Sequence, residues 1–586
     1  MAVENLITEH IDIWTSAVKT KSTSGRGSSK KLELYGFKKL RELILELAVR
    51  GKLVPQDPND EPASVLLERI AEEKKRLVKD KLIPRTKVLP PINEDELPID
   101  LPSGWAVVRL GELTSKLGSG STPKGGKNAY TSEGIPFLRS QNVRNEGIKL
   151  DDIAYISDEI HQKMEKTKVL PGDVLLNITG ASLGRSTIFP SNLVEANVSQ
   201  HVTIIRLIEP QMNQFIHLGI LSPMVQQLVW GRQVGMAIEG LSKKVLEMFE
   251  FPIPPIVEQR RIVAKVDELM ALCDQLEQQT EASIEAHQVL VTTLLDTLAN
   301  SVDANELMQN WTRISEHFDT LFTTEESIDQ LKQTILQLAV MGKLVPQDPS
   351  DEPAAELLKR IAEEKAQLVK EKKIKKQKAL PPISEDEKPF ELPSGWVWCR
   401  LQDITSKITD GDHKTPPRIE TGYTLLSAKN VRDGFIDFST TDFISEEDYM
   451  KSRDRCLPEH NDLLIVSVGG TIGRSSLVPK KSDFALVRSV ALIKPLKFNS
   501  EYLKHAMDSK LLQDSIHNNK RGGAQPCLYL SEISKFPFTM PPLEEQNRIV
   551  LKINQLLAIC ESLKLQIQDS QVTQFHLTDA IVEQAV

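Results

Sequence analysis

Leu47-Ala-Val-Arg-Gly-Lys-Leu-Val-Pro-Gln-Asp-Pro-Asn-Asp-Glu-Pro-Ala63 returns 291 residues later as Leu338-Ala-Val-Met-Gly-Lys-Leu-Val-Pro-Gln-Asp-Pro-Ser-Asp-Glu-Pro-Ala354, with two differences in seventeen positions. A repeat of this length and fidelity identifies an internal duplication and decides the architecture. Leu89-Pro-Pro-Ile92 and Leu101-Pro-Ser-Gly-Trp105 recur at the same shift, as Leu380-Pro-Pro-Ile383 and Leu392-Pro-Ser-Gly-Trp396. Beyond the tryptophans the likeness thins but stays in register: Gln141-Asn-Val-Arg144 faces Lys429-Asn-Val-Arg432, and Leu183-Gly-Arg-Ser186 faces Ile472-Gly-Arg-Ser475. It sharpens again where Pro254-Pro-Ile-Val-Glu-Gln-Arg-Arg-Ile-Val263 meets Pro541-Pro-Leu-Glu-Glu-Gln-Asn-Arg-Ile-Val550. Each half is therefore a close-copied arm, a diverged middle and a close-copied tail.

The tails carry the clearest periodicity. Ile262, Val266, Leu269, Cys273 and Leu276 are spaced 4-3-4-3, and Ile549, Ile553, Leu556, Cys560, Leu563 and Ile567 repeat that spacing, the seam of a coiled coil. The arms are helical over Leu40 to Val49 and Ala63 to Val78, with Asp-Pro-Asn-Asp-Glu-Pro between them as a turn. Glu68, Glu72, Glu73, Lys74 and Lys75 form a solvated outer face. The middles hold short β-branched runs, among them Val174 to Ile178, Val202 to Ile208, Leu463 to Val468 and Val487 to Ile493, which predict mixed α/β blocks. Each Pro-Pro pair at a block's end closes a strand and opens a helix. Thr20 to Lys31 is rich in Ser, Gly and Lys and reads as disordered, and residues 300 to 328 read as a linker.

Composition narrows the function. The chain has 586 residues and a net charge of −9, but residues 105–255 and 396–542 carry +1 and +2, leaving −12 on the intervening segments. Phosphate binding favours basic surface, so any nucleic-acid face belongs to the two near-neutral blocks. The five cysteines (Cys273, Cys399, Cys456, Cys527, Cys560) lack Cys-x-x-Cys spacing, so reduced thiols without a zinc site are expected, with Cys273 and Cys560 on the apolar seam. No apolar run is long enough to span a membrane, and a cytoplasmic protein is expected. Gly125-Gly-Lys127 is not a phosphate loop, since Ser121 stands at the first glycine position and Asn128 replaces the hydroxyl that would hold magnesium. The Asp/Asn-Pro-Pro-aromatic motif of an adenine methylase is missing from the sequence.

The order of arm, variable block and Pro-Pro-Glu-Gln-x-Arg-Ile-Val helix, given twice, resembles the specificity (S) subunit of type I restriction-modification systems. The Leu-Ala-Val-Arg-Gly-Lys-Leu-Val-Pro-Gln arm is similar to members grouped as type IB. The resemblance implies two α/β target recognition domains joined by two long antiparallel coiled-coil helices, a pseudo-two-fold internal repeat. It divides the chain into an N-terminal helical arm with a flexible Ser/Gly-rich loop (1–88), a first recognition domain (89–255), a first spacer helix (256–299), a linker and second arm (300–379), a second recognition domain (380–542) and a second spacer helix (543–586). It implies double-stranded DNA as ligand, and two modification (M) methyltransferase subunits and restriction (R) subunits as partners. S-adenosylmethionine, ATP and Mg would then belong to those partners, with no cofactor, no metal and no catalytic residue in this chain, and no membrane. The alternatives are a fused restriction or modification polypeptide with its own catalytic site and a coiled-coil adaptor that does not bind DNA.

Geometry supports the spacer role. Each variable block feeds the N-terminus of its heptad helix, so antiparallel pairing places the blocks at opposite ends, whereas parallel pairing sets them side by side. A helix of forty residues is roughly 60 Å long and a DNA turn about 34 Å. A symmetric frame with unlike readers predicts an asymmetric bipartite target with an unread gap. Residues common to both blocks, Asn142/Asn430, Arg144/Arg432 and Arg185/Arg474, touch phosphate or hold the fold. Residues that differ at matched places are the candidate base readers: Lys124, Lys127, Arg139 and Gln141 in the first block, and His413, Lys414, Arg418 and Lys429 in the second. Gln233, Lys520 and Arg521, near glycines late in each block, join them. Ile262, Val266, Leu269, Leu276, Ile549, Ile553, Leu556 and Leu563 are the expected spacer and partner-binding positions.

Overall fold

The computed structural model describes residues 3–21, 31–85, 87–93, 100–233, 240–480, 483–523 and 525–586. The chain divides into two compact units, Met1–Ser283 with Ser570–Val586, and Ile284–Asp569. Two helices of 44 and 43 residues, Ile256–Ala299 and Leu543–Ala585, each start in one unit and end in the other. Each is about 65 Å long at 1.5 Å per residue.

Helical arms form where the periodicity places them: Tyr35–Val49 and Ala63–Lys79 in unit 1, Glu325–Val340 and Ala354–Lys370 in unit 2. Thr324 starts the third of these with a capping box, its side chain accepting from Ser327 N while the Ser327 hydroxyl accepts from Thr324 N. In unit 2 that arm helix fixes the directions of both long helices. Glu325, Asp329 and Lys332 meet Gln568, Lys564 and Glu561 in descending order. Glu326, Gln330 and Lys343 meet Gln288, Thr292 and the Ala299 carbonyl in ascending order. The end of the first long helix and the start of the second are therefore antiparallel. In unit 1, the first arm helix likewise touches both, through Arg41 with Asp274 and Glu277 and through Tyr35 with Asp579.

The heptad seam packs into this frame. Ile549, Ile553 and Cys560 share a core with Ile328, Leu331 and Ile335, and Leu556, Leu563 and Ile567 lie half-buried against it. Ile262, Val266, Leu269 and Cys273 are buried, and Leu276 is half-buried. These positions lie on the two long helices, and the fully buried ones face the chain's own interior, so they are not available as a partner surface.

Two further expectations change, and a third lies mainly outside the described residues. Residues 300–328 are largely helical, Ala304–Glu316 being capped by Asp303 and buried through Ile314. Lys74 leaves the predicted solvated face: it is buried, and its ammonium donates to the Gly111 carbonyl at 2.6 Å. The disorder read over Thr20 to Lys31 falls mainly on residues 22–30, outside the described residues, and the flanking Val18–Lys21 and Lys31–Leu34 pair antiparallel.

Each middle block hangs from a two-stranded stem, Ala106–Arg109 against Glu250–Ile253 and Val397–Arg400 against Pro537–Met540, with the Pro-Pro pair ending the second strand as expected. Within the first block the strands run Ser186–Ile188, Val174–Asn177, Val202–Leu207, Thr114–Ser119 in one antiparallel sheet. A second sheet pairs Ile135–Leu138 in parallel with Ala196–Val198. The second block repeats both, ordered Ser475–Leu477, Leu463–Val466, Val490–Pro495, Thr405–Asp410, with Tyr423–Leu426 parallel to Phe484–Leu486. Val174–Asn177 and Leu463–Val466 are buried along their whole length, which is why they read as near-continuous apolar runs.

The close-copied motifs meet at one point in each unit. Trp105 Nε1 and Gln56 Nε2 donate to the Glu258 carboxylate at 3.2 and 3.3 Å, and Arg261 pairs with Asp60 at 2.6 Å. Trp396 and Gln347 donate to Glu545 at 2.9 and 3.1 Å, and Arg548 pairs with Asp351 at 2.6 Å. Gly51 closes the approach at φ +66°, where a Cβ would lie 2.5 Å from Pro102 and 3.0 Å from Trp105; only glycine accommodates both conditions.

Trp396→Phe keeps a ring but removes the donor, and is expected to lower the unfolding free energy by about 1–3 kcal/mol in a denaturant titration. Burial pushes the Glu258 and Glu545 carboxyls above their ordinary value, against the donors that favour the anion. The folded chain then holds those protons more tightly than the unfolded chain, so stability falls as pH rises from the ordinary glutamate value through the raised one. Glu258→Gln with Glu545→Gln removes that slope; identical profiles of Tm against pH for wild type and double variant would contradict it.

Candidate nucleic-acid interface

Three stretches far apart in sequence are brought together in each block. The first is the Asn-Val-Arg segment. In the first block it opens a tight hairpin, Val143–Arg144 against Gly147–Ile148. Asn142 is 1% exposed; its Oδ1 accepts from Arg139 N and its Nδ2 donates to the Lys149 carbonyl, both at 3.0 Å. Asn430 is 0% exposed and does the same with Ser427 N and the Asp437 carbonyl, again at 3.0 Å. These side chains are spent on bracing the loop from inside, so of the two roles expected for Asn142 and Asn430 the structural one holds, and they are withdrawn as DNA contacts.

The Gly-Arg-Ser turn is the second stretch. Asn145 Oδ1 accepts from Ser186 N at 3.1 Å, and Asn177 Nδ2 donates to the Ser140 carbonyl at 2.8 Å. In the second block Gly434 N donates to the Ser475 carbonyl at 3.0 Å, and Arg474 lies 3.6 Å from Asp433. Arg144 and Arg185, and likewise Arg432 and Arg474, therefore share one side of their block, all partly exposed. Arg144 Nε donates to the Gln141 carbonyl at 3.1 Å, and Arg432 pairs with Asp437 at 3.4 Å. Hydrogen bonds from Ser439, with the Arg432 guanidinium beside it, hold the Asp437 carboxyl below its usual range.

The third stretch is the glycine-flanked loop late in each block. Gln226 and Gln513 donate to the carbonyls of Gly184 and Gly473 at 3.0 and 3.3 Å, tying the preceding helices, Pro223–Gly231 and Lys510–Asn519, to the Gly-Arg-Ser turns. Gly240 bridges to Thr179, and Cys527 bridges to both Val468 and Arg521. This carries exposed Lys520 and Arg521 back beside the turn holding Arg474, with Arg521 3.7 Å from Glu532. Gln233, half-buried, donates to the Trp230 carbonyl at 3.0 Å.

The reader candidates cluster around a carboxylate that is not among the residues expected from the sequence. Gln141 Nε2 donates to Asp152 Oδ2 at 3.0 Å and Arg139 donates to the Asp152 carbonyl at 2.7 Å. In the second block Arg418 and Lys429 both lie 3.2 Å from Asp442 Oδ2. Looking only for hydrogen-bond donors to base edges misses acids that aim those donors. His413 stands 3.3 Å from Asp410, and Lys124 and Lys414 are exposed on the loops after Gly120 and Gly411. Those glycines are required because a Cβ would overlap the carbonyls of Val198 and Leu486. The side chain of Lys127 lies outside the described residues. Apolar groups are displayed nearby in sequence: Leu150, Trp230, Phe435 and Phe438 are all exposed.

The arrangement offers cations and amides. Among the described residues no cluster of His, Cys, Asp and Glu is placed to hold a metal ion, the five cysteines are unpaired, and no helix is long and apolar enough to cross a membrane.

Known proteins share this organisation. The type I restriction modification DNA specificity domain matches residues 102–286 and 395–570, the two blocks with the beginnings of their long helices. The EcoAI specificity subunit of a type I restriction enzyme from Escherichia coli is 41% identical, and the EcoEI specificity subunit from the same organism 40% identical, each over the whole of both chains. A solved chain from a type I restriction-modification system aligns with 18% identity and a TM-score of 0.46, over 83% of this chain and 98% of its own. With both blocks matched in turn and full-length relatives at this identity, the chain belongs to the family of type I restriction-modification DNA specificity subunits.

Proposed function

We propose that the chain selects the sequence on which a type I restriction-modification enzyme acts, with residues 89–255 and 380–542 each reading one part of an asymmetric, bipartite duplex target. The observation that carries this is the matched convergence in the two blocks. The same three stretches meet in each, with arginines at equivalent places, while the side chains around them differ. Shared arginines suit phosphate, which has no sequence. Unlike sets, Arg139 and Gln141 in one block and Arg418, Lys429 and His413 in the other, suit base edges. Asp152 and Asp442, with Asp410 beside His413, hold these donors in place before DNA arrives, lowering the entropy lost when they bind.

The long antiparallel helices act as the spacer between the readers. Methyl transfer, with S-adenosylmethionine, belongs to two modification subunits, and ATP- and Mg-dependent translocation and cleavage to restriction subunits, all in the cytoplasm; this chain scaffolds them and contributes no catalytic group. Purified alone with labelled S-adenosylmethionine and DNA, it is expected to transfer no methyl group.

Binding assays on the full chain with its modification partner test the division of labour. Arg432→Gln with Arg474→Gln is expected to weaken binding to every duplex alike and to flatten the salt dependence by about one unit of slope per phosphate left unneutralised. Arg418→Gln is expected to relax one half-site, at about 1–3 kcal/mol per affected base pair. Asp442→Asn frees two cations from their carboxylate and is expected to raise non-target affinity while shrinking the ratio of target to non-target. Unchanged affinity in the double arginine variant would contradict the reading.

A further inference from the structure

The second arm helix, Ala354–Lys370, runs into Lys370-Glu-Lys-Lys-Ile-Lys-Lys-Gln-Lys378, six lysines and one glutamate in nine residues. Its counterpart in the first half, Lys79-Asp-Lys-Leu-Ile-Pro-Arg-Thr-Lys87, has four basic residues and one acid. Both runs lie in the part of the chain whose net charge is otherwise strongly negative.

The backbone that displays these lysines is held at both ends. At the helix end Lys372 takes φ +59°, as Lys81 does at the matching position, and Lys373 N donates to the Leu368 carbonyl at 2.9 Å. Beyond the run Gln402 Nε2 donates to the Lys378 carbonyl at 3.0 Å, and Lys365 Nζ donates to the Gln402 carbonyl at 2.7 Å. All six lysines of the run are exposed, and the described ion pairs engage one of them, Lys373 with Glu371 at 2.8 Å. Lys375 and Lys378, with Lys365 and Gln402 behind them, line a hollow of about 200 Å³.

The chemistry discriminates between partners. Like charges packed within a Debye length, about 8 Å at physiological salt, repel one another unless an anion lies against them. Protein interfaces are built on aromatic and aliphatic anchors and are poor in lysine. Here Ile374 is half-buried, and no apolar side chain of the run projects as Leu82 does, 70% exposed, in the counterpart. A duplex backbone presents regularly spaced phosphates that lysine meets as a point charge without fixed geometry. We infer that residues 370–378 form a phosphate clamp, which grips the sugar-phosphate backbone of the bound duplex without reading its bases. The clamp rests on the DNA-reading role proposed above. It is stronger in the second half than in the first, so the hold on DNA is polarised along the target.

The test replaces Lys372, Lys373, Lys375, Lys376 and Lys378 with Gln in the full chain and measures binding to a non-target duplex over a salt series. The slope of log K against log salt is expected to fall by roughly 0.9 for each phosphate that is no longer neutralised, with unchanged base preference and unchanged Tm; Lys→Arg at the same positions is expected to restore the slope. A slope equal to wild type overturns the clamp, as does an equal slope with loss of co-purifying protein, which would make the run a protein-binding surface. Arg432→Gln with Arg474→Gln, run alongside, separates the two claims. If that variant loses affinity and the lysine variant does not, the clamp alone fails. If the wild-type chain holds no duplex at any salt, the reading beneath it fails and takes the clamp with it.

Discussion

A buried carboxylate held by an indole N–H and an amide carries the rest of this structure. Removing a carboxylate from water costs several kcal/mol unless donors replace the lost hydration, and Glu258 and Glu545 find theirs only where three separate motifs come together. Gln56 and Gln347 come from the arm, Trp105 and Trp396 from the entrance to the middle block, and the glutamates from the first turn of each long helix. An arginine one turn further on pairs with an aspartate of the same arm turn, Arg261 with Asp60 and Arg548 with Asp351. Changing any one member strands the others, a physical reason for these motifs to match between the halves while the segments between them differ.

That node frees the middle blocks to diverge. Each block leaves and re-enters the frame through adjacent antiparallel strands, Ala106–Arg109 with Glu250–Ile253 and Val397–Arg400 with Pro537–Met540, so its ends are fixed whatever lies between them. What persists inside a block is what its fold needs: the buried strands, the glycines at Gly120 and Gly411, and the loop-bracing Asn142 and Asn430. What varies is the set of donors around Asp152 and Asp442. A constant mount with an exchangeable face is the arrangement that lets one scaffold address different sequences.

The repeat, the heptad seam, the two arms and the strand-to-helix junction at each Pro-Pro pair were all legible in the residues, because each rests on a local rule of period or backbone restriction. A polar residue type is not by itself a sign of exposure, as Lys74 shows by leaving the solvated face expected for it. Asn142, Asn430 and Lys74 are buried because backbone carbonyls and amides inside the fold satisfy them, and only three-dimensional context reveals those partners. The helix at Ala304–Glu316 reads as linker because Met308 and Trp311 remain exposed beside its Leu307 and Ile314, although Leu307, Trp311 and Ile314 are spaced four and three apart. Asp152 and Asp442 were invisible for a different reason: an acid that organises cations looks, in sequence, like one that repels phosphate.

The central claim is that two unlike readers, mounted on a repeated frame, act on separate parts of one duplex. Selecting duplexes from a random pool with the assembled wild-type chain, and again after His413→Ala with Lys429→Ala, tests it most directly. The account predicts two specified blocks of bases separated by an unspecified gap, with the substitutions altering one block and leaving the other intact. A single continuous recognised sequence, or both blocks changing together, would contradict it.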